Sequence, residues 1–191
     1  MIDIVVKLGG GLLAQPRDFE RVLETISAAA SKTKLLIVPG GGPFADAVRR
    51  VYQDMLLSED AAHWMAVLAM DQYAHLIASR LVRGRVATTA ASVSGILESG
   101  DVPVLAPSRW LQDVDPLPHS WDVTSDSIAA WIAGALGADH LVLVKPSNAS
   151  GIELVDAYFA HALPRQVEHS IVPADQIHAL ASALRPRGTP A

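Results

Sequence analysis

Apolar and polar residues along the chain fall into short blocks whose period changes from strand-like to helical and back. Ile2–Lys7 is an apolar run closed by a lysine and followed by Gly9, Gly10 and Gly11, which predicts a buried strand ending in a tight turn. Pro16 and Asp18 open a helix that runs to about Ala30, with proline at a favoured N-terminal position. Lys34–Val38 reads as a second strand, broken by Pro39-Gly40-Gly41-Gly42-Pro43, and a helix follows from about Phe44 to Gln53. Ser58 suits the N-cap of a long helix from Glu59 to about Val82. Trp64, Met65, Val67, Leu68, Met70 and Ile77 surround most of that helix with apolar groups, the pattern of a central, buried element. Strands at Arg85–Thr88 and Val102–Leu105 flank a helix from Ala91 to Glu98, and Pro103 assigns the second strand to a sheet edge or a strand start. Pro107, Pro116 and Pro118 make residues 106–120 a loop. Thr124 or Ser125 caps a helix to Leu136 that Gly137 stops, and Leu141–Val144 is a strand ending in Lys145-Pro146. A short helix near Asp156–Leu163, a strand near Val167–Val172, a helix from Ala174 to Leu184 and a flexible tail at 185–191 complete the reading.

Strands that alternate with helices at crossover spacing imply an α/β fold, a three-layer αβα sandwich around a mostly parallel sheet. One domain is expected over residues 1–184. In such folds ligands bind at the carboxyl ends of the strands. Both glycine clusters and Lys145 follow strands, so all three belong on that edge. The 191 residues are 50% hydrophobic and 18% charged, enough apolar material for a full core and too much for a disordered chain. A net charge of -5 argues against a non-specific nucleic-acid binder. The absence of cysteine excludes disulfides, thiolate zinc sites, iron–sulfur clusters and a cysteine nucleophile. No apolar run reaches about 18 residues, and the N-terminus has no signal-peptide pattern, so no membrane partner and a cytoplasmic location are expected.

Three places carry chemistry. In Lys7-Leu8-Gly9-Gly10-Gly11, the glycines open the backbone to a close ligand and the successive N–H groups form an anion nest. A lysine at the end of a buried strand is costly unless a negative charge meets it, so the pair of features points to phosphate. The second cluster, Gly40 to Gly42, opens a helix and adds the positive end of its dipole. Asp126 lies in the first turn of the third helix start, where that dipole favours its charge; simple capping by Thr124 or Ser125 explains the same residues. Gly9-x-Gly11-x-x-Ala14 and Gly40-x-Gly42-x-x-Ala45 both satisfy the dinucleotide pattern. The strand after the first cluster ends in Val38-Pro39 with no acid for a ribose, so the dinucleotide reading falls. No Walker-type G-x-x-x-x-G-K-[ST] occurs either. Histidines show no metal-ligand spacing; His63 reads as a core residue, and Asp71 with His75 fits an i,i+4 helix pair.

Taken in order, the three places resemble the amino acid kinase superfamily, which includes acetylglutamate, aspartate, uridylate, carbamate and isopentenyl phosphate kinases. The resemblance covers about residues 1–142. The strings Pro39-Gly40-Gly41-Gly42-Pro43-Phe44-Ala45-Asp46, His63-Trp64-Met65-Ala66, Ala69-Met70-Asp71-Gln72-Tyr73 and His119-Ser120-Trp121-Asp122-Val123-Thr124-Ser125-Asp126 are narrower. They resemble the branch that phosphorylates (aminomethyl)furan-methyl phosphate in methanofuran biosynthesis and its bacterial relatives in one-carbon metabolism. The resemblance implies a kinase using ATP and Mg²⁺, an acceptor half at about 1–120 and a nucleotide half at about 121–184. It implies that Lys7 neutralises the transferring phosphoryl group, that Gly9 and Gly10 donate to it, and that Asp126 orients Lys7. Ser125 and Lys145 complete the expected nucleotide-phosphate set. Gly40, Gly41 and Gly42 would cradle the acceptor, with Arg49 facing its phosphate and Asp46 or Asp71 its ammonium group. The implied partner is a small-molecule phosphate, and a homo-oligomer, dimer or higher, is expected.

The chain departs from the family twice. Where typical members carry T-D-x-D-G-V-Y, this sequence has Val144-Lys145-Pro146-Ser147-Asn148-Ala149-Ser150-Gly151. Many members also supply a second catalytic lysine from a later segment, but the lysines here are Lys7, Lys32, Lys34 and Lys145 alone. Lys145 is the candidate for that charge, with a solvated loop lysine as the alternative reading. Rival functions are transfer to a carboxylate, carbamate or nucleoside monophosphate, and a non-catalytic nucleotide- or metabolite-binding protein of the same fold.

Overall fold

In the first strand every residue is buried, and successive side chains enter opposite layers: Ile4, Val6 and Leu8 join one hydrophobic cluster, Val5 the other. A strand buried on both faces needs neighbours on both sides and helices above and below. The computed structural model, which describes residues 2–148 and 154–186, shows that arrangement. Strands β1 (Ile4–Leu8), β2 (Leu35–Pro39), β3 (Gly84–Ala87), β4 (Val102–Leu105), β5 (His140–Lys145) and β6 (Glu168–Pro173) form one sheet in the order β3-β4-β2-β1-β5-β6. Every described pair is parallel. Helices α1 (Pro16–Ala29), α2 (Gly42–Met55), α3 (Glu59–Arg80), α4 (Ala90–Glu98), α5 (Ser108–Val114), α6 (Ser125–Ala135), α7 (Phe159–Ala162) and α8 (Ile177–Ala183) flank it, and a short 3-10 turn spans Gly10–Ala14. The protein is therefore an αβα sandwich. Among the described residues no helix is long and apolar enough to cross a membrane.

The strand order reverses at β1, which lies between β2 and β5 with Lys7 opposite both Val38 and Leu143. Ligands in open parallel sheets gather at such a switch point. One layer packs Phe19, Val22 and Ile26 of α1 and Leu180 of α8 against Ile4, Val6 and Leu8; the other packs α6 residues Ile128, Ala129 and Ile132 against Val5. Helix α3 serves both layers. Val67 and Met70 join the α6 side, while Tyr73, Ala74 and Ile77 join the α1 side. This double service explains its all-round apolar sequence.

One sequence expectation changes and one is narrowed. Residues 106–120 contain a helix, α5, rather than a continuous loop. Its prolines stand outside it, Pro107 at the N-cap and Pro116 and Pro118 beyond the end, where proline is compatible with a helix. Strand β4 is interior, between β3 and β2, so of the two expected places for Pro103, a sheet edge or a strand start, the structure shows the strand start. Val102 and Ala106 donate to the carbonyls of Arg83, just before β3, and Ala87, at its end, so the missing N–H of Pro103 faces β2, where only Ile37 and Val104 pair. Residues 187–191 of the expected tail lie outside the described residues.

Candidate functional site

Alternation along two neighbouring strands brings two lysines to one face. On β5, Leu141 and Leu143 belong to the α6 layer, and Lys145 follows two residues later. On β1, Lys7 follows Val5 in the same way. Above them α6 begins, with Thr124 as N-cap and Asp126 in the first turn. Lys7 Nζ lies 2.8 Å from Asp126 Oδ1, and Lys145 Nζ donates to Asp126 Oδ2 at 2.6 Å. Lys7 and Asp126 are each only 4% exposed. Burial works against the charge of Asp126, but Lys7 and Lys145 overcome it and hold the carboxyl below the ordinary carboxylate range. Burial, and then the charge of Lys7, push the Lys145 ammonium down, against the pull of Asp126. The group thus gathers two lysine ammonium groups around one carboxylate, and the Asp156 carboxylate also favours the charge of Lys145.

A residue that the sequence did not single out fixes the start of α6. Asp156 accepts from Thr124 N at 2.9 Å, Thr124 Oγ1 at 2.7 Å and Ser127 N at 3.0 Å, and the Ser127 hydroxyl donates to its other oxygen. This carboxylate caps α6 from a separate segment and so sets where Asp126 stands.

The two glycine turns touch each other beside this group. A Cβ on Gly10 would lie 2.1 Å from Gly42 N, and Gly42 itself has a φ of +56°. Only glycine at both positions allows the approach. The expected phosphate ligands among these residues are corrected in part. Gly9 N donates to Val144 O at 2.9 Å and Gly40 N to Leu8 O at 2.8 Å, so those two N–H groups extend the sheet and are not free for a ligand. The donors without intrahelical partners are those that open the 3-10 turn and α2, at Gly10, Gly11, Gly41 and Gly42.

From Gly41 a small cleft of about 60 Å³ runs between α2, α3 and the start of α6. Gly41, Ala45 and Arg49 line one wall, Glu59, His63, Ala66, Val67 and Met70 a second, and Trp121, Val123, Thr124, Ser125 and Ile128 a third. Ser125 therefore stands on this cleft, next in the chain to Asp126. Arg49 lines it too, with its guanidinium carbon 5.2 Å from the centre of the Trp121 ring and an ion pair of 2.8 Å to Asp46. Asp46 is exposed and does not line the cleft. Asp71, expected at the acceptor, is not brought there: its carboxylate accepts from Ser108 N at 3.1 Å and from the Ser108 hydroxyl, capping α5. The same contact explains why α5 forms.

At the cleft rim His119 is held between two carboxylates, Nδ1 at 2.6 Å from Asp60 and Nε2 at 2.8 Å from Asp115. Burial opposes its charge, yet those hydrogen bonds raise its pKa above the ordinary value. His63 stacks on His119 with ring centres 4.1 Å apart. Burial and then the neighbouring His119 charge lower His63 to about 4, which keeps it neutral. The loop after β5 is tied to the first glycine turn and α1: Ser147 N donates to Gln15, and Ser147 Oγ to Asp18 at 2.8 Å. Residues 149–151 of the departing stretch lie outside the described residues. Among the described residues no three His, Asp or Glu side chains gather as a metal site.

Comparison with known proteins agrees with this geometry. Residues 4–152 match the amino acid kinase family. A curated relative, the [5-(aminomethyl)furan-3-yl]methyl phosphate kinase of Methanocaldococcus jannaschii, is 28% identical over 139 residues, which is 73% of this chain and 63% of that protein. The chain thus spans less than two thirds of that relative's length. Crystal structures of UMP kinases share the fold. The Ureaplasma parvum enzyme gives a TM-score of 0.74 at 17% identity, covering 96% of this chain and 92% of that one. The uridylate kinase of Archaeoglobus fulgidus gives 0.69 at 16% identity, covering 94% and 95%. With the switch-point lysines, the paired glycine turns and this match over most of its length, the chain belongs to the amino acid kinase family.

Proposed function

We propose that the protein is a kinase that transfers the γ-phosphoryl group of ATP to a small phosphomonoester, forming a diphosphate, with (aminomethyl)furan-methyl phosphate as the acceptor. The observation that carries the reading is the Lys7–Asp126–Lys145 group, its lysine ammonium groups held on one carboxylate, beside the place where the two glycine turns meet. An oxygen of the acceptor phosphate attacks the γ-phosphorus, and the bond to the ADP oxygen breaks. The attacking oxygen is already anionic, so no general base is required. Lys7 and Lys145 neutralise the charge spread over the transferring group, and the N–H groups at Gly10, Gly11, Gly41 and Gly42 position its neighbours. Asp126 keeps the two ammonium groups together, and Asp156 keeps Asp126 in place. Magnesium would arrive on the ATP phosphates, held mostly by their oxygens.

The acceptor identity is supported by the curated relative and by the cleft beside Ser125, which has apolar walls suited to a small ring. The same reading places the protein in the cytoplasm and includes self-association, for which exposed Val51, Met55, Leu56 and Leu68 offer apolar surface near the α2–α3 turn. Sedimentation of the purified protein measures the latter. The activity is tested by ³¹P NMR with Mg-ATP and (aminomethyl)furan-methyl phosphate, beside UMP, isopentenyl phosphate and acetylglutamate. New coupled diphosphate signals with the furan acceptor, lost in Lys7→Ala, are the expected result. ATP intact with the furan acceptor would refute the assignment.

A further inference from the structure

Along α2 the cleft residues Gly41, Ala45 and Arg49 recur at every fourth position, and along α3 Glu59, His63, Val67 and Met70 recur at the spacing of one helix face. Residues 56–58 alone connect the two helices, so they run antiparallel and the first turn of α3 lies beside the later turns of α2. The cleft therefore has an inner end at Gly41, Thr124, Ser125 and Met70, next to the lysine group. Its outer end holds Arg49, Glu59 and His63. Between them Ala45, Ala66, Val67, Val123 and Ile128 make the walls apolar.

The formally charged side chains that line this cleft are Arg49 and Glu59. They differ in one respect. Arg49 is already paired with Asp46 and stacked over Trp121. Glu59 forms no ion pair with any described residue. His63, one turn further along the same wall, adds a neutral imidazole, so no positive charge on α3 offsets the carboxylate. A carboxylate in the first turn of α3 also gains from the helix dipole, but that gain requires no neighbouring cleft.

We propose that Glu59 is the specificity residue for an acceptor with a primary ammonium group at the end remote from its phosphate. The inference rests on the reading of this cleft as the acceptor site and deepens it. The acceptor lies with its phosphate at Gly41 and Ser125, its ring against Val67, Val123 and Ile128, and its ammonium donating to the Glu59 carboxylate. The two acids that the sequence offered for this task are engaged elsewhere, Asp46 with Arg49 and Asp71 with Ser108. An acceptor without a cation, such as a nucleoside monophosphate, gains nothing from Glu59.

The test uses the full chain and two acceptors that differ in one group, aminomethyl against hydroxymethyl on the furan ring. The wild type is expected to favour the amine about tenfold in kcat/KM, the factor that one charge-assisted hydrogen bond of about 1.4 kcal/mol confers. Glu59→Gln brings that ratio to about one, chiefly by raising KM for the amine. Glu59→Asp restores part of the ratio, which a folding defect would not do. A ratio near one in the wild type, or one that Glu59→Gln leaves unchanged, overturns the role of Glu59 while the kinase reading stands. Failure of the wild type to phosphorylate either furan acceptor overturns both.

Discussion

The interior charge group and the rim clamp are near mirror images. In the first, one carboxylate, Asp126, stands between two lysines; in the second, one imidazole, His119, stands between two carboxylates. Their surroundings make them different objects. Asp126 and Lys7 are each 4% exposed, so their charges meet largely out of solvent. Asp60 and Asp115 are largely exposed, and water screens the surplus negative charge at the rim. The same motif is therefore nearly closed to solvent in one place and an exposed fastener in the other. The fastener ties the loop before α6 to the first turn of α3, two of the three walls of the cleft.

The comparison breaks most sharply at its centre. Asp126→Ala removes the carboxylate that both Lys7 and Lys145 contact and should lower unfolding free energy by about 3–5 kcal/mol, measured by urea denaturation. Lys7→Ala keeps the remaining pair balanced, so the fold should survive while kcat drops about 10²–10³-fold in a coupled ADP assay. Little change in rate would remove Lys7 from the chemistry. At the rim His119→Gln should cost about 1 kcal/mol or less, and its effect should fall on acceptor KM before kcat.

Acidity sharpens the contrast further. His63 has an ordinary pKa of 6.5 and about 4 in the folded protein. Between those values the unfolded chain binds the extra proton, so this contribution is complete above 6.5 and is lost as pH falls towards about 4. His119 runs the other way. Its raised pKa gives stability that is full below 6.5 and disappears as pH climbs through the raised value. Melting curves from about pH 4 to about pH 9 should show His63→Gln flattening the acid limb and His119→Gln the alkaline one. Identical limbs in both variants would dissolve the clamp.

The fold was largely legible because burial on both faces of a parallel sheet leaves its mark in continuous apolar runs such as Leu35–Pro39. Helix α5 was hidden because the residue that caps it, Asp71, is 37 positions away. The strand-end position of Lys145 and the helix-start position of Asp126 could be read directly, since each depends on its own element. Their meeting could not be read from periodicity alone, because it depends on the β1–β5 register. Asp156 left no signal at all: an acid in a short irregular stretch becomes a cap only when that stretch crosses α6. Glu59 and His63 were absorbed by the apolar pattern of α3, which does not say which face meets a cleft.

The contact between Gly10 and Gly42 has a consequence for how the chain reaches its native state. The two turns interlock only when β1 and β2 pair in their native alignment, Leu8 against Pro39. A slip of one residue would turn Lys7 into the opposite layer, against α1, and separate the turns. The proposed anion site at these turns would thus form only after the central strands have settled. Recovery of anion binding during refolding would then report on strand alignment, and alanine at either glycine would trap misaligned chains.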